Sequence, residues 1–205
     1  MPELFVSAFV TLFVVIDPPG CAPIFAGLVS GATPEQARSM AIRASFIAAL
    51  ILLLFALLGE QLLGALHIEL NSFRIAGGIM LFLLALEMVF EKRTQRREKR
   101  AEQVRASAEV EDVSVFPVAI PMLAGPGSIT TIMLLMARAE GTRSTLVILA
   151  ALACVMVLSL LALLTAEPIM KLLGAKVEAV ITRLLGVLLG ALAAQYVLDG
   201  LRAAF

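Results

Sequence analysis

The segment Glu91–Asp112, EKRTQRREKRAEQVRASAEVED, decides how this chain is organised. Its 22 residues hold 13 of the 32 charged side chains, a density that cannot enter hydrocarbon and must lie in water. On its N-terminal side stand three apolar stretches, about residues 4–29, 42–66 and 73–90, and on its C-terminal side three more, about 113–137, 145–166 and 179–198. Each is near the roughly 20 residues that a helix needs to cross a bilayer. They are too long and too continuously apolar for barrel strands, and in lipid a helix satisfies its own backbone. The expected fold is an all-α polytopic membrane protein with six transmembrane helices. Its parts are a three-helix unit over residues 1–90, a charged linker over 91–112 and a second three-helix unit over 113–205.

The composition of the whole chain agrees. Of 205 residues 60% are hydrophobic and 16% charged, with mean hydropathy +1.00, well above the 45–50% apolar content of soluble domains. Sixteen basic and sixteen acidic residues cancel, and there is one His and no Trp, which argues against nucleic-acid binding and against a multi-histidine metal centre. Cys21 and Cys154 lie in apolar stretches and read as small buried thiols rather than a redox pair; no cofactor is expected. The N-terminus lacks a basic region and a small-residue cleavage site, so it reads as a retained first span. Connections after spans one, three and five carry twelve Lys and Arg residues against four on the other side, which puts the linker in the cytoplasm and both termini in the periplasm.

The two halves resemble each other. A shift of 107 residues lays VFPVAIPMLAGPGSITTI (115–132) over AFVTLFVVIDPPGCAPIF (8–25), aligning Pro19-Gly20 with Pro126-Gly127 and, further on, Glu60 with Glu167. A shift of 109 lays Arg74-x-x-Gly77 over Arg183-x-x-Gly186. Three spans per half is an odd number, so the duplicate crosses in the opposite sense, as in the inverted repeats of secondary transporters.

The first span of each half carries the expected chemistry. Asp17-Pro18-Pro19-Gly20 in span one, and Pro117, Pro121 and Gly125-Pro126-Gly127 in span four, should break both helices, which is tolerable only where the break lines a cavity. An unwound helix offers carbonyls on its outgoing half and N–H groups on its incoming half, so a zwitterion fits both ends. Ser128, Thr131 and, late in span six, Gln195 add polar contacts. Asp17, an acid at membrane depth, is expected to hold a substrate ammonium or a proton, or else to cap the broken helix. Glu60 with Arg74, and Glu167 with Arg183, read as ion pairs that anchor the interfaces or gate the two sides. Gly77, Gly78, Gly186 and Gly190 read as helix-packing positions.

RIAGG (74–78), FPVAIPMLAGPGSIT (116–130), EAVITRLLGVLLGALAAQYVLDG (178–200) and DPPGCAPIF (17–25) closely resemble the MarC/SnatA family of bacterial inner-membrane proteins. The likeness covers nearly the whole chain outside the charged linker. It implies a six-span transporter of small neutral amino acids, glycine, alanine, serine and threonine among them, driven by the proton gradient. Family members often carry Asn-Pro where this chain has Asp17-Pro18, which favours a hydrogen-bonding role at the break over a proton role. An exporter or facilitator built on the same broken helices is the alternative. No hydrolase signature accompanies His67, so no enzyme is expected. Direction, coupling ion and oligomeric state stay open.

Overall fold

The computed structural model describes residues 1–93, 95–96, 98–99 and 112–204, with the backbone alone over 167–178. Most of the charged linker, and the side chain of Glu167, therefore lie outside the described residues. No strand occurs among those described. Eight helical elements follow one another: α1 (Pro2–Ile16), α2 (Pro18–Leu28), α3 (Pro34–Ala65), α4 (Leu70–Val89), α5 (Ser114–Leu123), α6 (Pro126–Ala137), α7 (Gly141–Leu164) and α8 (Ala166–Ala204). Five stretches are long and apolar enough to cross a membrane, and a sixth arises if α5 and α6, bent by 52°, count as one span.

Local chemistry sets the boundaries. Thr33 caps α3 with a reciprocal pair of bonds, Gln36 N to Thr33 Oγ1 at 3.3 Å and Thr33 N to Gln36 Oε1 at 2.9 Å, and Pro34 takes the first helical position. The same helix ends at His67, whose φ of 56° turns the chain while Ile68 N donates to Leu63 O and His67 N to Gly64 O. This closure occupies the orphan carbonyls and gives the lone histidine a structural post.

Asp17 separates α1 from α2 in the left-handed region, φ 59° and ψ 63°. Pro18 and Pro19 supply no N–H to the carbonyls of Val14 and Val15, so α1 cannot run on unbroken. α5 is irregular for a related reason. Phe116 and Ile120 have extended backbones, as residues before proline prefer, and each precedes one, Pro117 and Pro121.

Consecutive helices are not always neighbours. α3 and α4 share no extensive contact; α3 packs on α5 and α6, with Gly59 against Met133, and α7 packs on α1 and α2. Each long second helix thus lies on the first span of the other half. α4 runs antiparallel to α8: Gly200 faces Ile75 and the Asn71 carbonyl, Gly78 faces Ala193 and Val197, and Gly186 faces Met88 and Val89. A Cβ on Gly78 would stand 2.7 Å from Val197 Cγ2, so the small residues set the approach. Large apolar side chains such as Phe46, Leu54 and Leu184 are left exposed on the outer faces, as a lipid-facing surface requires.

Candidate functional site

The second helix break opens onto a cavity of about 230 Å³. Gly125, Pro126, Gly127 and Ser128, the start of α6, form one wall; Val15, at the end of α1, and Leu84 of α4 form another; Pro117, Pro121 and Met122 of α5 close the third. Arg93 and Arg96, just beyond α4, complete it. Gly127 is where α6 comes nearest α1, for a Cβ there would lie 3.3 Å from Val15 Cγ1 and 2.9 Å from Leu84 Cδ2. The first turn of α6 leaves N–H groups without intrahelical acceptors, so this end of the cavity favours an anion.

Across from it sits a buried charge pair. The Asp17 carboxylate accepts a hydrogen bond from Gly20 N at 3.2 Å, capping α2, and its Oδ2 lies 3.8 Å from Arg93 Nη1. The other guanidinium nitrogen, Nη2, donates to the Val15 carbonyl at 2.7 Å. Asp17 is 1% exposed and Arg93 7%, so the pair sits in low dielectric, where removing either partner costs far more than at a surface. A Cβ on Gly20 would overlap the Asp17 carboxylate, so glycine there keeps the cap in place.

These placements amend the expectations drawn from the sequence. Gly125, Pro126, Gly127 and Ser128 line the cavity. Asp17, Pro18, Pro19 and Gly20 do not; the first break reaches the cavity through Val15 and Arg93. Thr131 is fully buried away from it, and its hydroxyl has no bonding partner. Gln195 lies on an exposed face of α8 and donates to Asp199 Oδ1 at 2.6 Å, because the helix turns Tyr196 inward instead.

Glu60 and Arg74 do not pair, and Arg183 has a further partner. Glu60 is exposed on a separate cavity at the far end of α6, and Arg74 faces elsewhere, since α3 does not pack along α4. Arg183 binds Glu91, the left-handed residue just past α4, at 2.5 Å, while its expected pairing with Glu167 lies outside the described residues. At the opposite end of α8, Asp199 binds Arg138 at 2.7 Å, whose guanidinium also lies 4.7 Å over the Tyr196 ring. A double-mutant cycle on Arg138→Gln and Asp199→Asn, read by thermal unfolding, should give a coupling of about 1 kcal/mol, the upper range for partly exposed pairs. The same cycle on Glu60→Gln and Arg74→Gln should give none, and the reverse pattern would reinstate the pairing expected from sequence.

Sequence reasoning passed over Arg93 and Arg96. Both belong to a charge run whose composition says water, and nothing local marks Arg93 as a side chain that turns inward. Asp112, at the far end of that run, has its carboxyl held below its usual range by Ser114, whose backbone N–H donates to it at 2.9 Å, helped by Arg43.

Comparison with known proteins settles the lineage. The family model for MarC family integral membrane proteins matches residues 2–205. The chain belongs to the MarC family. It is 35% identical over 203 residues to a UPF0056 membrane protein of Methanocaldococcus jannaschii, covering 98% of each chain. The UPF0056 membrane protein YvbG of Bacillus subtilis is 32% identical over 205 residues, with 100% of this chain and 97% of that one covered. The UPF0056 inner membrane protein YhgN of Escherichia coli is 33% identical over 199 residues, 96% and 95% of the two chains. None of these names states a substrate. No solved structure matches this MarC-family chain.

Proposed function

We propose that this MarC-family protein carries small neutral amino acids of the glycine, alanine, serine and threonine class across the inner membrane, by alternating access around two broken helices. The observation that carries this reading is the cavity itself, lined on one side by Gly127 and Ser128 at the N–H end of α6 and on another by Val15 and Arg93, through which it adjoins the Val15 carbonyl and the Asp17 carboxylate. An anion seat and a cation seat at close quarters match an α-amino acid. The volume, about 230 Å³, falls below the usual 300–1,000 Å³ of ligand pockets and favours the smallest side chains.

Two further arguments support transport. The packing is reciprocal under exchange of halves, α3 on α5 and α6, α7 on α1 and α2, α4 on α8, which is what two inverted three-helix repeats would produce. The excess of Lys and Arg on one side favours periplasmic termini and a cytoplasmic linker. We read the proton as the coupling ion, and the buried acid Asp17 as the position at which that reading is tested.

Uptake by proteoliposomes tests the reading. Labelled glycine, alanine, serine and threonine should accumulate under an inward proton gradient, and Asp17→Asn should remove the dependence on the gradient. Exchange of internal for external label without a gradient would point to a facilitator or exporter. No flux of any neutral amino acid in either direction would refute the substrate class.

A further inference from the structure

Covalent structure dictates what the first break exposes. The carbonyls of Val14 and Val15 would accept hydrogen bonds from the residues four positions on, but those are Pro18 and Pro19, which have no N–H. The Val15 carbonyl is instead taken by Arg93, whose guanidinium donates to it at 2.7 Å and lies 3.8 Å from the Asp17 carboxylate and 3.2 Å from Met88 Sδ. A side chain from the water-soluble segment has therefore entered the protein to meet a carbonyl and a carboxylate. That pair of acceptors would hold any compact organic cation.

We propose that this position is the seat of the substrate's ammonium group and that Arg93 is its resident stand-in, holding the seat when no amino acid is bound and yielding it when one is. The inference rests on the transport reading of the same cavity and specifies it further. Three physical points carry it. The exchange is cation for cation, so the buried Asp17 carboxylate keeps a positive charge at the same distance throughout. Arg93 lies just past α4, three residues before Arg96, whose side chain is 59% exposed, so water is within reach of a long side chain swung outward there. The seat also borders the start of α6 through Val15, so an ammonium there leaves its own carboxylate facing the N–H groups of Gly127 and Ser128. An amine without a carboxylate fills half the site, and a carboxylate without an amine cannot displace Arg93.

Arg93 occupancy therefore depends on ligand, and chemical modification reads it directly. In the purified full-length protein, phenylglyoxal should modify Arg93 slowly, and saturating glycine should speed that modification about fivefold or more, as expected for a side chain shifted from a minor to a major exposed population. Acetate at equal ionic strength should leave the rate unchanged. Arg93→Gln should unfold at lower temperature than the native chain, with methylammonium restoring part of the loss and sodium none, while Arg93→Lys should unfold close to the native chain. If the glutamine variant fails to fold, the modification experiment on the native protein decides alone. Glycine uptake without any change in Arg93 reactivity overturns this proposal and leaves transport standing. Unchanged reactivity together with no amino acid flux removes the transport reading as well.

Discussion

Asp17→Ala should lower the unfolding free energy by about 3–5 kcal/mol, the usual cost of stripping one partner from a buried ion pair. Three losses coincide at this position. Arg93 loses the carboxylate 3.8 Å from its Nη1, Gly20 N loses its acceptor at 3.2 Å, and a residue with a poor tolerance of φ 59° replaces one that accepts it. Asp17→Asn keeps the cap and the left-handed turn and loses only the charge, so it should fall between alanine and the native chain. Thermal unfolding in detergent orders the three proteins. An alanine variant as stable as the native chain would show that the Asp17–Arg93 contact contributes nothing, and the assignment of the cation seat would go with it.

Gly125→Ala should be nearly as damaging and for a different reason. A Cβ there would stand 2.5 Å from the Pro121 carbonyl oxygen, a backbone atom held by a proline and unable to swing aside. Relief requires opening the 52° bend between α5 and α6, which draws Gly127 and Ser128 out of the cavity wall. Overpacking of this kind costs about 1–3 kcal/mol, and amino acid flux should fall below detection even in protein that still folds. Gly64→Ala is the matched control. It lies inside α3 with nothing within 4 Å of its would-be Cβ, so it should be neutral or stabilise by up to about 1 kcal/mol. Equal behaviour of the two variants would mean that the bend has no part in shaping the site.

What could be read from the sequence was what covalent chemistry makes obligatory. Pro18 and Pro19 remove donors wherever they stand, so the interruption at Asp17 followed from the residues alone, as did the distortion before Pro117 and Pro121. The placement of Gly125, Pro126, Gly127 and Ser128 on a cavity was likewise legible, because glycine and proline at membrane depth have few other tolerable surroundings. Partnerships between distant side chains were not. Glu60 and Arg74 are near neighbours in sequence, but α4 lies on α8 rather than on α3, and that choice is made by glycines spread across both halves. Gln195 and Tyr196 differ by one residue, or 100° of helix, which is enough to send the polar group out and the aromatic ring in. Arg93 was hidden by its surroundings in sequence, since one inward side chain does not alter the average of a charged run.

The glycine contacts between α4 and α8 bear on how the protein can move. These two helices belong to opposite halves, yet Gly78, Gly186 and Gly200 seat α4 against α8 from Asn71 to Val89 on the one and from Gly186 to Gly200 on the other. Sliding by one turn, 5.4 Å, would bring Cβ atoms where only hydrogen now fits. The pair is therefore a fixed axle shared by both halves, and neither half can tilt as a rigid block without stripping it. The alternating access proposed above would then fall to the short segments α1, α2, α5 and α6 rather than to the axle.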